Sequence, residues 1–217
     1  MYEAVNKVLM GIGGRWDRKA KGHVFEHGDA EDLLNGVLSS GELRDIRKEL
    51  QFFPTPQEVA DQMCRWAELD STHEVLEPSA GRGDLARRIR QHTEHVTVLE
   101  MHPPFRAELQ AAGLYRVLDE SDFLRHSGTY DRVVMNPPFS KLQDQAHIRH
   151  AYSLLRPGGV LVAVCTPGWQ YRQDRRSSEF KAWLKATNAE VDDLPEGSFS
   201  ASGTNVRTLL IKIRKDS

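Results

Sequence analysis

The sequence predicts an α/β fold in which a doubly wound, mostly parallel sheet ends in an antiparallel C-terminal hairpin. Strand-like and helix-like segments alternate from about residue 51 to residue 186, which is typical of repeated βα units. The first of these strands leads through a glycine-containing turn, residues 78–83, directly into a helix. Two late strands then follow each other with no helix between them, which favours antiparallel pairing at the edge.

The individual elements follow from hydrophobic periodicity and from the residues that begin and end helices. The predicted strands cover residues 73–77, 95–100, 115–118, 130–135, 160–165, 190–194 and 208–213. The predicted helices cover residues 55–69, 83–92, 106–112, 145–155 and 178–186. We expect Thr55 to cap the first of these helices, with Pro56 at its first position. The Arg-Pro-Gly-Gly segment at residues 156–159 is expected to end the fourth.

Residues 1–50 do not follow this alternation. Residues 15–25 indicate two short strands around a basic turn, and helices are predicted near residues 30–38 and 41–50. We therefore divide the chain into a small N-terminal extension over residues 1–50 and an α/β domain over residues 51–217.

Composition excludes several classes of protein. Lys plus Arg number 29 and Asp plus Glu 31, so the net charge of −2 excludes a generally basic surface but not a local basic face. Cys64 and Cys165 are far apart in apolar segments, which excludes a disulfide scaffold and a cysteine-rich zinc site. The longest apolar run, residues 160–165, is far below the roughly 18 residues that span a bilayer, and no signal peptide is recognisable. We expect a soluble, cytoplasmic protein without a membrane partner.

The turn at residues 75–86 carries the first functional signal. Gly81 and Gly83 permit a tight turn whose backbone can approach a ligand closely. Glu100, at the end of the next strand, is placed to accept hydrogen bonds from ribose hydroxyls. The pattern favours a nucleoside-bearing cofactor over a plain strand–helix turn, and by itself leaves NAD and S-adenosyl-L-methionine (SAM) open.

The tetrapeptide Asn136-Pro137-Pro138-Phe139 follows a buried strand at the edge of the sheet where ligands bind in such folds. The two prolines remove two N–H donors and stiffen the chain, while the carbonyl group between them stays free to accept. Asn136 adds a side-chain oxygen. Two rigid acceptors beside an aromatic ring suit a planar NH₂ group.

Five segments, in their order along the chain, resemble the motifs of the N6-adenine DNA methyltransferases. These segments are residues 52–56, 77–83, 121–124, 136–139 and 194–204, and the resemblance covers about residues 51–213. It implies a Rossmann-like class I methyltransferase domain that uses SAM. Because the chain ends soon after the last strand, we expect no separate C-terminal recognition domain. We accordingly expect an enzyme with limited sequence specificity, of the orphan, phage or mobile-element kind.

The resemblance also implies roles for individual residues. Thr55 would contact the methionine part of SAM, Glu77 its amine and Glu100 its ribose. Asp122 would accept from the adenine amine of SAM, with Met101 and Phe123 beside the ring. The cofactor-binding set that it implies is Phe53, Thr55, Glu77, Ser79, Ala80, Gly81, Gly83, Glu100, Met101, Asp122, Phe123 and Asn136. The catalytic set is Asn136, Pro137, Pro138 and Phe139, and Phe199 would cover the other face of the target base.

Two basic segments are candidates for contact with a nucleic-acid backbone. Arg15, Arg18, Lys19 and Lys21, interleaved with Trp16, form either a phosphate-binding hairpin or a solvated turn. The second segment follows the strand at 160–165 and contains Arg172, Arg175 and Arg176, with Lys141 as a further candidate. The nine histidines are scattered, so no metal site is expected.

The sequence therefore predicts methyl transfer to the N6 amino group of adenine in DNA, in a bacterial nucleoid or a phage-infected cell. Methylation of RNA adenine or of a protein glutamine amide stays open, since related tetrapeptides serve all three planar NH₂ targets. A nucleic-acid-binding or inhibitor protein that has lost methyl transfer is a third alternative. The intact acidic residues and tetrapeptide argue against it. The recognition site and oligomeric state are left open.

Overall fold

The computed structural model describes residues 5–6, 9–10, 14–24, 53–120, 122–200 and 206–216. The chain divides into two compact units, Met1–Phe52 and Phe53–Ser217, which are described separately. The helices predicted near residues 30–38 and 41–50, and the segment at 202–204, lie outside the described residues. So do the side chains of Arg15 and Lys141.

In the first unit, β1 (Arg15–Asp17) and β2 (Gly22–Val24) form the antiparallel hairpin that the sequence indicates. The carboxylate of Asp17 accepts the backbone N–H groups of Lys19, at 2.7 Å, and of Ala20, at 2.8 Å. This pairing closes the turn, because a short acidic side chain can satisfy the backbone donors that a tight reversal leaves free.

The second unit contains a seven-stranded sheet with the strand order β5-β4-β3-β6-β7-β9-β8. The first five strands in this order are parallel, whereas β9 runs antiparallel to both β7 and β8. This confirms the predicted doubly wound α/β fold with an antiparallel C-terminal hairpin. The strands are β3 (Val75–Glu77), β4 (Val96–Val98), β5 (Arg116–Val117), β6 (Tyr130–Met135), β7 (Leu155–Cys165), β8 (Glu190–Asp193) and β9 (Leu209–Arg214).

Helices cover both faces of this sheet. They are α1 (Gln57–Trp66), α2 (Asp84–Ile89), α3 (Pro103–Ala112), α4 (Gln143–Ser153), α5 (Gly168–Tyr171) and α6 (Arg175–Ala186), with short 3₁₀ turns at Phe123–Arg125 and Ser140–Leu142. Alternate residues of β7 belong to two different core clusters. Val162 packs in the cluster that includes α1 and α2, whereas Leu161 packs in the cluster that includes α4 and α6. The central strand is buried on both faces, as parallel strands between helical layers are.

The start of β7 differs from the prediction. The strand begins at Leu155 rather than at residue 160, and the register shifts so that Tyr130 pairs with Leu155 and Arg132 with Val160. The Pro-Gly-Gly segment therefore forms an irregularity within the strand instead of a free loop. It is held by backbone hydrogen bonds from Gly158 to the carbonyl of Lys215 and from Lys215 to the carbonyl of Gly159.

The two cysteines are buried and unpaired. Burial raises the pKa of the Cys64 thiol to about 12, and burial also raises the pKa of Cys165. A thiol that keeps its proton is not a nucleophile, so both serve as core residues. No helix in the described ranges is long and apolar enough to cross a membrane.

Candidate active site

The ends of three neighbouring parallel strands meet at one edge of the sheet. Glu77 is the last residue of β3, Glu100 comes shortly after β4, and Asn136 directly follows β6. β3 lies between β4 and β6, and the chain reverses its direction of winding between β3 and β6. In open α/β sheets the crevice at such a switch point is where ligands bind.

The glycine turn requires its glycines. Gly81 has a φ of 54° and Gly83, the N-cap of α2, has a φ of 84°, both in the left-handed region. A Cβ atom on Gly83 would lie 2.9 Å from the Cδ2 atom of Leu109. The predicted turn therefore depends on glycine at positions 81 and 83, where other residues would be strained.

Glu100 ties this turn to the end of β4. One carboxylate oxygen accepts the backbone N–H of Gly81 at 2.6 Å, and the other accepts the N–H of His102 at 2.7 Å. Each carboxylate oxygen can accept a second hydrogen bond. Glu100 can thus hold the turn in place and still accept hydrogen bonds from a ribose.

Glu77 is a buried carboxyl group that lacks a full set of partners. Its side chain is 1% exposed, and Oε2 has no hydrogen-bond partner among the described residues. Burial, together with the negative charges of Asp84 and Glu100, raises its pKa well above the usual value. Such a group is stabilised either by a proton or by a cation beside it. This environment fits the ammonium group of a bound amino-acid moiety such as that of SAM.

The amide of Asn136 has a defined orientation. Its Nδ2 donates to the backbone carbonyl of Phe53 at 3.1 Å and to the hydroxyl of Thr55 at 3.2 Å. Because a carbonyl oxygen can only accept, the NH₂ end of the amide must face Phe53. Oδ1 therefore points the other way. It is shielded from solvent and has no hydrogen-bond partner among the described residues.

The prediction that Thr55 caps the first helix was wrong. α1 begins at Gln57, its N-cap position is held by Pro56, and no side chain caps it. The hydroxyl of Thr55 is instead used by Asn136. Sequence reasoning missed this contact because the Thr-Pro pair has the pattern of a helix start, and nothing local indicates a partner so distant in the chain.

Two aromatic rings lie beside the tetrapeptide. Phe139 and Phe53 stack with their ring centroids 6.2 Å apart and an interplanar angle of 14°. Both rings are partly buried against the core cluster on the α1 face, and Pro137 is buried. The structure thus brings together the predicted residues Phe53, Thr55, Asn136 and Phe139.

Two other predicted aromatic residues are not presented to the site. Phe199 is 1% exposed and belongs to the hydrophobic core, so in this arrangement its ring offers no free face to a base. Phe123 is 3% exposed and packs edge-on against His147 and His150. Both predictions relied on motif position, and both rings are drawn inward because burying them removes a large apolar area from water.

The remaining predicted residues at the cofactor end are Asp122 and Met101. The side chain of Asp122 accepts the N–H of Leu124 at 3.0 Å and caps the following 3₁₀ turn. Met101 is 70% exposed. An exposed methionine at the end of a ligand-binding strand is available to pack against a planar ring.

The predicted basic segments are largely solvent-exposed. Arg18, Lys19 and Lys21 are exposed on the turn of the hairpin. Arg172 and Arg176 are exposed after β7, while the exposed Arg175 pairs with Glu179 at 2.7 Å. In the described ranges, no group of three or more His, Cys, Asp or Glu residues could hold a metal ion.

Comparison with solved structures finds the same fold in methyltransferases. The methyltransferase subunit of a type I restriction-modification system from Streptococcus thermophilus is 23% identical, with a TM-score of 0.60 over 75% of this chain and 44% of that chain. A dimethyladenosine transferase from Plasmodium falciparum is 16% identical, with a TM-score of 0.59 over 76% of this chain and 64% of that one. TrmN from Thermus thermophilus is 20% identical, with a TM-score of 0.53 over 72% of this chain and 48% of TrmN. The chain thus spans about half the length of TrmN. A comparison with curated protein sequences finds no match.

The fold is that of the class I methyltransferases, and the methyltransferase domain that the chain contains implies SAM as its cofactor. The chain belongs to the methyltransferase small domain family, whose model matches residues 67–188.

Proposed function

We propose that this protein transfers a methyl group from SAM to the N6 amino group of adenine in DNA. The observation that carries the proposal is the orientation of Asn136. Its NH₂ end is held by Phe53 and Thr55, so its oxygen is left as an acceptor without a partner. A substrate amino group is the natural partner for that oxygen.

The chemistry of adenine explains why such an acceptor is needed. The amino nitrogen of adenine is a poor nucleophile because its lone pair is delocalised into the ring. Hydrogen bonds from its two N–H groups to Asn136 Oδ1 and to the carbonyl of Pro137 would favour a pyramidal nitrogen with a localised lone pair. The work of the enzyme is then positioning and preorganised electrostatics, without a strong base.

The acidic residues support SAM binding at the adjoining strands. The ionised carboxylate of Glu77 would pair with the amine of the methionine part, and Glu100 would accept from the ribose. When bound, SAM supplies an electrophilic methyl group on a positively charged sulfur. The chain contributes the pairing, the orientation of the two reactants and a site shielded from water.

The target base must leave its helix, which costs a few kcal/mol. Stacking on an aromatic ring returns about 1–3 kcal/mol per base. Phe139 is the ring beside the tetrapeptide, and its stacking on Phe53 gives it a fixed orientation. Since Asn136 Oδ1 is covered in the free protein, the residues that cover it would have to move for the base to reach it.

The nucleic-acid backbone would be contacted by the exposed cations on the hairpin turn and on the loop after β7. Arg18, Lys19 and Lys21 lie within one turn whose acidic residue, Asp17, already bonds to the backbone. The names of two neighbours, a methyltransferase subunit and a modification subunit of type I restriction systems, favour DNA as the substrate. The names of an rRNA methyltransferase and a dimethyladenosine transferase keep RNA as the second candidate.

A panel of acceptors tests the proposal. Transfer of a radiolabelled methyl group from SAM is measured on duplex DNA, single-stranded DNA, RNA and protein, and the product base is identified after digestion. N6-methyladenine in DNA is expected. Label found only in RNA or in protein overturns the choice of substrate. SAM binding by calorimetry without transfer to any acceptor would instead support the inactive binding protein.

The matched variant is Asn136→Ala. It should abolish methyl transfer, because the acceptor for the amino group is gone, while the Kd for SAM is retained since Glu77 and Glu100 are unchanged. An Asn136→Ala protein that still methylates adenine contradicts the mechanism.

A further inference from the structure

The side chain of Asp144 is a completely buried carboxylate in the first turn of α4. One of its oxygens, Oδ2, accepts both the backbone N–H of Thr166, at 3.1 Å, and the hydroxyl of Thr166, at 2.8 Å. The other oxygen accepts the N–H of Gln145 at 3.0 Å. Moving a carboxylate out of water costs several kcal/mol, so a fully buried one is retained where its hydrogen bonds are well satisfied.

This contact joins two loops at the same edge of the sheet. α4 follows the tetrapeptide that begins at Asn136, directly after β6, and Thr166 is the first residue after β7. β6 and β7 are parallel neighbours, with Met135 opposite Ala163. Asp144 therefore links the segment after one strand to the segment after the next, beside the proposed base site.

Each of the two linked segments also has a structural restraint of its own. The loop after β7 is held by Trp169, which is buried and donates its indole N–H to the sulfur of Cys165 at 3.2 Å. The segment after Phe139 passes through Leu142, whose φ of 61° lies in the left-handed region. Such a backbone costs about 1–3 kcal/mol and persists only where the surroundings hold it. The Asp144–Thr166 contact is a direct side-chain link between the two segments.

We propose that Asp144 is a positioning residue for methyl transfer. Through Thr166 it sets the distance between the tetrapeptide and the loop after β7, and so the width of the opening that receives the base. This rests on the proposed function, but it holds for any acceptor that binds beside Asn136. Asp144 does not touch the reacting atoms. Its effect is expected in kcat and not in the affinity for SAM, since Glu77 and Glu100 lie on other strands.

Asp144→Asn and Thr166→Val test the contact from both ends. In Asp144→Asn, one end of the amide is a donor that must face either the N–H of Gln145 or the donors of Thr166, so one pairing is lost. Displacing a reactive group by about 1 Å can cost about 100-fold in rate, so kcat should fall about 10- to 100-fold. Thr166→Val should lower kcat in the same direction, and Thr166→Ser, which keeps the hydroxyl, should restore most of that loss. Because both variants break the same link, the double variant should lose little more than Asp144→Asn alone.

Asp70→Asn is the matched control. Asp70 Oδ1 accepts both the backbone N–H of Thr72, at 2.8 Å, and its hydroxyl, at 2.6 Å, which is the same donor pair on a single oxygen, in the turn that precedes β3 and outside both linked segments. Its kcat should stay within about twofold of the parent. Rates are expressed per SAM-binding site from calorimetry, so a merely less stable variant does not mimic the effect.

Hydrogen exchange gives a readout that needs no activity. In Asp144→Asn the amide of Thr166 and those of residues 139–145 should exchange faster together, whereas Asp70→Asn should leave both segments unchanged. The inference is overturned by an Asp144→Asn protein with the parent's kcat, or by an equal loss in Asp70→Asn. If the parent methylates RNA and not DNA, the proposed substrate fails while this test still applies. If the parent methylates none of the acceptors, hydrogen exchange in Asp144→Asn tests the link. Unchanged protection of both segments overturns the inference, and joint loss of protection in both segments supports it.

Discussion

Replacing Glu77 with Gln tests the role of the buried carboxyl at the end of β3. The substitution keeps the shape of the side chain and removes its charge. In the free protein Oε2 has no hydrogen-bond partner among the described residues, and burial outweighs the stabilising effects of Arg87 and of the backbone N–H of Ala86 on the pKa of Glu77, so a cation beside it would favour the ionised form. Removing one member of a buried charge pair typically costs 2–5 kcal/mol, so the Kd for SAM should rise about 30-fold or more.

Calorimetry with two ligands separates this effect from general damage to the site. SAM carries the amino-acid group, whereas 5′-methylthioadenosine carries the same nucleoside without the amine. Glu77→Gln should weaken SAM binding and leave the affinity for 5′-methylthioadenosine unchanged. Equal losses for both ligands, or an unchanged Kd for SAM, would refute the pairing of Glu77 with the amine.

The same carboxyl gives SAM binding a definite pH dependence. Burial raises the pKa of Glu77 above its ordinary value of 4.5, so the free protein keeps this proton to a higher pH than an exposed glutamate does. A neighbouring ammonium favours the ionised form of Glu77. Between pH 4.5 and the raised pKa of Glu77, binding of SAM therefore releases the proton from this carboxyl group. Affinity for SAM should therefore rise with pH above 4.5, and Glu77→Gln should flatten the rise. The free variant should also be no less stable than the parent at pH 8, since it buries no charge.

Two further predictions concern neighbours of the site. Thr55→Val removes one of the two acceptors that orient Asn136. Because a hydrogen bond is worth about 1 kcal/mol, kcat should fall about fivefold, and Thr55→Ser should retain activity. Parental kcat in Thr55→Val would show that Phe53 alone fixes the amide. Burial lowers the pKa of His147 from 6.5 to about 4, so the unfolded chain binds this proton more readily and stability should fall as pH drops from about 6.5 towards 4. Measured by urea unfolding, the free energy of unfolding should be about 1–2 kcal/mol lower at pH 5 than at neutral pH, allowing for the partial exposure of His147. His147→Gln should remove this difference. An equally steep pH dependence in the variant would assign the difference to other groups.

The fold was predictable because its signals are local. β6 was predicted at residues 130–135, the bounds that it has, because a short segment rich in aromatic and β-branched residues before a proline turn is typical of a strand. The tetrapeptide at Asn136 could likewise be predicted as a functional segment, because an asparagine and two prolines directly after a strand place two rigid acceptors at the ligand-binding edge of the sheet. The sheet edge that carries Glu77, Glu100 and Asn136 follows from the parallel topology alone.

What could not be predicted depends on partners far away in the chain. The start of β7 at Leu155 requires Lys215 to hold the Pro-Gly-Gly segment in the sheet, a contact that no local pattern encodes. The use of the Thr55 hydroxyl by Asn136 is of the same kind. The burial of Phe199 shows that a motif can place a residue in a segment without specifying the direction of its ring. The Asp144–Thr166 contact was missed because an acidic residue in a first helical turn already has an ordinary explanation.

The outermost strand of the sheet has a consequence for how copies of this protein behave in concentrated solution. Every residue of β8 is exposed, and its sequence, Glu-Val-Asp-Asp, places carboxylates at Glu190, Asp192 and Asp193. An open strand edge offers unpaired amide and carbonyl groups to any other strand, which is a route to self-association. Asp193 is paired with Arg207 at 2.7 Å and Glu190 lies 3.7 Å from Lys212, so charged groups line this edge and oppose the approach of a second strand, while Val191 still pairs with Ile211. The charged groups of β8 should therefore keep copies of this protein apart at high concentration without altering the pairing within the sheet.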